Sequence, residues 1–137
     1  MKNSLILLWF CFITISLFGQ PGQLQVGTAC VDVSPTVIPF QLRSGKSSYV
    51  HDPLHVRAVA FESGEGRAVI CLIDAIGIGR DMSDTAKARA AERTGWKAEC
   101  MLICATHTHT APKGGEGMPG REEYEKLKYQ KLEEAIV

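Results

Sequence analysis

The stretch from His55 to Ile73 constrains this chain more than any other. His55 to Phe61 (HVRAVAF) alternates apolar and polar residues, and Ser63-Gly64-Glu65-Gly66 turns the chain. Arg67 to Ile73 (RAVICLI) then returns as an almost unbroken apolar run. Period-two alternation suits a strand with one wet face, while a continuous branched run suits a strand covered more fully. The pair is therefore expected to form a β-hairpin whose second strand lies deeper than its first.

The flanking segments extend that frame. Leu24 to Val33 (LQVGTACVDV) alternates and is rich in branched residues, a strand ended by Ser34-Pro35. Residues 36–49 carry Pro39, Gly45 and three serines without periodicity, which reads as a loop. Asp81 is expected to cap a helix, with Asp84 three residues on resembling a capping box and Gly95 as the stop. Cys100 to Ala105 (CMLICA) has the length and composition of a buried strand. A last helix begins near Arg121 with an apolar stripe of Tyr124, Leu127, Leu132, Ala135 and Ile136. It reaches Val137 in register and without a stop signal, so the chain is expected to continue beyond that residue. Strand, hairpin, helix, strand, helix makes an α/β protein with a mixed β-sheet and flanking helices.

Composition narrows the function classes. The 137 residues are 45% hydrophobic and 22% charged, which excludes intrinsic disorder. Fifteen basic residues balance fifteen acidic ones, leaving no basic excess for a nucleic-acid surface. The N-terminus reads as an address. Lys2 precedes an apolar run from Leu5 to Phe18, and Gly19-Gln20-Pro21-Gly22 breaks it. Such a run is short of the ~20 residues that span a bilayer as a helix, and its layout is that of a secretory signal peptide over residues 1–19. The expectation is export, to a secreted or periplasmic location, with residues 20–137 as the folded part. Of the five cysteines, Cys11 leaves with the leader; Cys30, Cys71, Cys100 and Cys104 could pair in three ways. Cys71, Cys100 and Cys104 sit in apolar runs, where free cysteine packs as a small hydrophobe.

Chemistry concentrates in Ala105 to Gly117 (ATHTHTAPKGGEG). In an extended segment, residues two apart share a side, so His107 and His109 are expected to present both imidazoles together. The alternating threonines would face the other way, within reach of the ring nitrogens as supporting partners. Two histidines alone do not complete a zinc site, which takes three or four protein ligands. Further candidates are His51, His55, Asp74, Glu116 and Tyr124. His51 and His55 flank Pro53 and read as polar positions edging the hairpin. Tyr124 reads as packing on the last helix, and Glu116 as solvated in a glycine-rich loop. Asp74 ends a buried strand and needs a partner, structural or functional. The residues after His109 are Thr110-Ala111-Pro112, so the His-x-His-x-Asp-His pattern of metallo-β-lactamase-type hydrolases is absent. Neither a phosphate loop nor a nucleophile elbow occurs.

Three blocks, in order, resemble the neutral/alkaline non-lysosomal ceramidase family. Val26 to Pro35 (VGTACVDVSP) is similar to its opening strand, and Asp52 to Asp74 (DPLHVRAVAFESGEGRAVICLID) to its hairpin. Ala105 to Pro112 (ATHTHTAP) is similar to its zinc motif. The resemblance implies the N-terminal portion of a larger catalytic domain, and a Zn2+-dependent amidase that splits an N-acyl sphingoid base of the ceramide class into sphingosine and fatty acid. It implies His107 as a metal ligand and His109 as a catalytic group facing the substrate. A lipid-like substrate also implies peripheral contact with a membrane. Thr110-Ala111 departs from the family's serine-glycine. The family's other ligands, a second histidine, a glutamate and a tyrosine, lie far downstream of the matched blocks. The 137 residues alone are accordingly expected to be inactive. Two other readings remain open: an exported non-catalytic or vestigial domain, and a related zinc hydrolase acting on another amide or an ester.

Overall fold

The structure, a computed structural model, describes residues 22–42, 45–112 and 120–137. The leader and its boundary at residue 19, and Glu116 with most of its glycine-rich loop, lie outside the described residues.

A four-stranded sheet runs in the order β1 (Gln25–Asp32), β4 (His55–Ser63), β5 (Gly66–Ile73), β6 (Met101–Ala105). The hairpin forms, but its second strand is not the deeper one: Gly66, Arg67, Ala68 and Ile70 of β5 are exposed, while β4 has only Arg57 exposed. β4 and β5 pair antiparallel with Val56 opposite Ile73 and Ser63 opposite Gly66, and β1 adds antiparallel to the far edge of β4. β5 and β6 are parallel, with Ile73 beside Ala105, so the chain must cross over between them. It does so through helix α1 (Arg80–Thr94) and a single 3-10 turn, Ala98–Cys100. A second helix, α2 (Arg121–Ile136), follows. The mixed sheet with two helices is the α/β class expected from the sequence.

Strand alternation sorts the side chains. Val56, Ala58, Val69, Cys71, Ile73, Met101 and Ile103 turn inward and are buried against the helices. Helix α1 meets them with Met82, Ala86 and Ala90, spaced four apart on one stripe, and α2 with Leu132, Ala135 and Ile136. Alanines on α1 let backbone approach sheet closely. Cys71 is fully buried, and burial pushes its thiol up to about 12. The four described cysteines are free thiols; Cys30 is exposed. The opposite face of the sheet remains open among the described residues, with Val26, Ile70 and Leu102 all exposed.

Two further local readings change. Residues 36–49 contain a small antiparallel pair, β2 (Phe40–Leu42) and β3 (Gly45–Ser47). Strands of three residues are too short to show a period. Helix α1 begins one residue before Asp81, on Gly79 as N-cap and with no side-chain cap. Asp81 instead lies in the first turn, where its charge complements the helix dipole. Gly95 does end this helix as expected, in the left-handed conformation at φ 71° with its N–H bonded to the Ala91 carbonyl.

Candidate functional site

One end of the sheet gathers the chemistry. β1 ends there at Asp32, β4 starts there at His55, and the parallel pair β5 and β6 ends there at Ile73 and Ala105. The carboxyl ends of parallel strands open onto loops and commonly frame a site.

The Asp32 carboxylate accepts the Ser34 N–H at 2.6 Å, and the Ser34 hydroxyl accepts the Leu54 N–H at 2.9 Å. These bonds turn the chain out of β1; the Ser34 N–H and its side chain hold the Asp32 carboxyl below its usual range. Asp74 has the partners its position demanded. One carboxylate oxygen accepts the His55 N–H at 2.9 Å and the Arg57 Nη1–H at 2.8 Å. Burial alone would push its carboxyl up. The His55 N–H, the Arg57 guanidinium and the Thr106 hydroxyl outweigh burial and hold it below the ordinary value. The same ion pair raises the Arg57 guanidinium, which also donates through Nη2 to His55 Nδ1 at 3.0 Å.

Sequence reasoning had not singled out Arg57, although its signal was available. Arg57 pairs with Leu72 across the hairpin, and Asp74 is two residues on from Leu72, hence on the same face.

The two histidines meet, but not as an extended strand would bring them. β6 stops at Ala105 because β5 has ended. The last ladder bond runs from the Thr106 N–H to the Ile73 carbonyl at 3.0 Å. His107 then takes a left-handed backbone, φ 59°, at a cost of about 1–2 kcal/mol for a residue with a Cβ. Its ring reaches across to the chain leaving β5, with Nδ1 2.6 Å from the Ile76 carbonyl oxygen. A carbonyl can only accept, so Nδ1 carries the proton and, in the neutral ring, Nε2 keeps a bare lone pair. His109 Nε2 lies 3.5 Å from that lone pair, the ring planes 71° apart. His109 is then the ring with a proton to give. Both imidazoles are exposed.

Two nitrogens bound at 2.0–2.1 Å to one tetrahedral zinc lie roughly 3.3–3.4 Å apart. The observed 3.5 Å is close to that separation, but only His107 Nε2 offers a lone pair to a metal; His109 Nε2 carries a proton and stands beside that position as a hydrogen-bond donor. Among the described residues no group of three or more His, Cys, Asp or Glu side chains converges on a metal position.

The other candidates fall into separate places. Thr108 and Thr110 bond to each other through their hydroxyls at 2.8 Å. They line, with Asp74 and His51, a cavity of about 420 Å³ whose other walls include Phe40 and Leu54. Their reach is therefore into the cavity rather than toward the ring nitrogens. Tyr124 is packed on α2 as its stripe implied, 6% exposed. Its hydroxyl has no hydrogen-bond partner among the described residues, and burial, followed by Glu125, Asp74 and Asp32, raises it. The Ile76 carbonyl carries no signal in a sequence at all, because every residue has one.

No family model matches this sequence, and no curated protein gives a significant match to it. Solved structures do. The chain superposes on the neutral ceramidase from Pseudomonas aeruginosa with a TM-score of 0.71 at 17% identity, covering 85% of this chain and 21% of that one. A ceramidase complexed with C2 matches with a TM-score of 0.62 at 16% identity, over 83% of this chain and 20% of that one. The shared property is a ceramidase-like fold, and the chain spans about a fifth of the length of each neighbour.

Proposed function

We propose that this chain is the N-terminal, histidine-bearing part of an exported zinc-dependent amidase acting on N-acyl sphingoid bases of the ceramide class. The observation that carries the reading is the His107–His109 pair: two Nε2 atoms 3.5 Å apart at the end of β6, one ring fixed as acceptor and the other left as donor. The fold shared with two ceramidases supports a lipid amide as the substrate over those of other zinc hydrolases. When bound, zinc supplies a Lewis acid and a nucleophile generated from water at neutral pH.

His107 is the residue that would hold the metal, through Nε2, while its Nδ1–H stays on the Ile76 carbonyl. His109 holds a proton on Nε2 and would donate it as a hydrogen bond to the oxygen of the scissile amide, on which negative charge develops. The separate roles follow from the two tautomers. The remaining ligands belong to polypeptide outside the described residues, so the 137-residue chain is expected to bind zinc weakly and to turn over no substrate. Zinc titration against a chromophoric chelator, with release of sphingosine from N-acyl sphingosine assayed in parallel, tests this. Weak binding that disappears in His107→Ala is the expected result. Zinc uptake equal in wild type and His107→Ala would sink the metal assignment, and turnover by the chain alone would sink the partial-site reading.

A further inference from the structure

The histidine pair depends on a residue that would touch neither metal nor substrate. His107 is held by the Ile76 carbonyl at 2.6 Å, and its backbone is left-handed. Neither feature is self-supporting: a carbonyl on a free loop would wander, and a strained backbone relaxes unless its surroundings hold it. The segment that carries the carbonyl, just beyond β5, is fastened at Asp74. The Asp74 N–H donates to the His55 carbonyl at 2.9 Å. The Asp74 carboxylate collects the His55 N–H and the Arg57 guanidinium. Next to Asp74, the Ile73 carbonyl accepts the Thr106 N–H at 3.0 Å, and Thr106 immediately precedes His107, so the joint fastened at Asp74 holds the chain that carries the acceptor beside the chain that carries the ring. Arg57 sits against Asp74 and His55 together, which closes the cluster.

We propose that Asp74, braced by Arg57, is a positioning residue that fixes His107 as its Nδ1–H tautomer and so keeps Nε2 free as a ligand. The inference rests on the zinc reading for its purpose, but the tautomer can be measured without metal. Partners that orient a metal-binding imidazole typically change metal affinity 10- to 100-fold when removed.

The chain contains only four histidines, so ring-nitrogen NMR on 15N-histidine-labelled protein resolves each tautomer, with His107→Gln assigning the His107 signals. Wild type is expected to show His107 protonated at Nδ1, and Asp74→Ala a mixture of tautomers in a chain that still unfolds cooperatively. Asp74→Asn keeps an oxygen for the His55 N–H and should recover most of the wild-type ring. Zinc added to the same samples should perturb the His107 ring at roughly tenfold or more higher concentration in Asp74→Ala than in wild type.

A folded Asp74→Ala with the wild-type tautomer overturns the proposal. Should Asp74→Ala fail to fold, Arg57→Gln decides: a shifted His107 tautomer supports the assignment and an unshifted one overturns it. Zinc that leaves the wild-type His107 ring untouched counts against the metal reading alone, since the tautomer comparison still stands or falls by itself.

Discussion

At the scale of single residues, the end of the sheet is organised by carboxylates that the fold keeps ionised. Asp32 and Asp74 both titrate below their ordinary range in the folded chain. A group with a lowered native pKa contributes stability above its unfolded value, near 3.9, and loses it as pH falls through the native value. Urea midpoints should therefore hold steady from about pH 7 to 5 and drop below about pH 4. Asp74→Asn, which has no carboxyl to protonate, should flatten that drop; an unchanged profile would remove Asp74 from the account. His107 and His109 were legible in the sequence because a two-residue spacing alone places their rings in reach. The reason for their meeting was not. It depends on a left-handed backbone angle and on a main-chain oxygen 31 residues away, and neither leaves a mark in residue identity.

Among the elements, periodicity carried the reading wherever a segment was long enough to repeat. The hairpin, both helices and β6 were legible, to within two residues at each end, from alternation, apolar runs and terminal glycines. β2 and β3 were not, since three residues cannot alternate convincingly. The start of α1 was misplaced because Asp81 is as good an acceptor in sequence as a true cap, and the difference lies in where the first helical dihedral falls. Helix α2 is tied to α1 at its surface by Glu133, which Arg89 and Arg93 approach at 3.6 and 3.2 Å. Such half-exposed pairs contribute little. Docking rests on Leu132, which is fully buried. Leu132→Ala should cost about 2–5 kcal/mol, and Glu133→Ala less than about 1 kcal/mol, both read from chemical unfolding. Equal losses would mean that the surface pairs hold the helix.

For the whole molecule, the layering explains both what the sequence revealed and what it concealed. Apolar runs in β5 and β6 signalled well-covered strands, yet among the described residues the helices cover one side of the sheet only. The rows Thr28–Val59–Ile70–Leu102 and Cys30–Arg57–Leu72–Cys104 face away from them. Ile70 and Leu102 are 44% and 54% exposed there, an arrangement that parallel pairs seldom leave to water. The solution behaviour of the isolated chain should follow from this bare sheet. It should bind a dye such as ANS while giving the sharp near-ultraviolet circular dichroism of a packed core, a combination foreign to a molten globule. Leu102→Lys should dim the dye without lowering the unfolding temperature by more than a few degrees. Ammonium sulfate should bring the wild-type chain out of solution sooner than that variant, because an excluded salt penalises wet hydrocarbon.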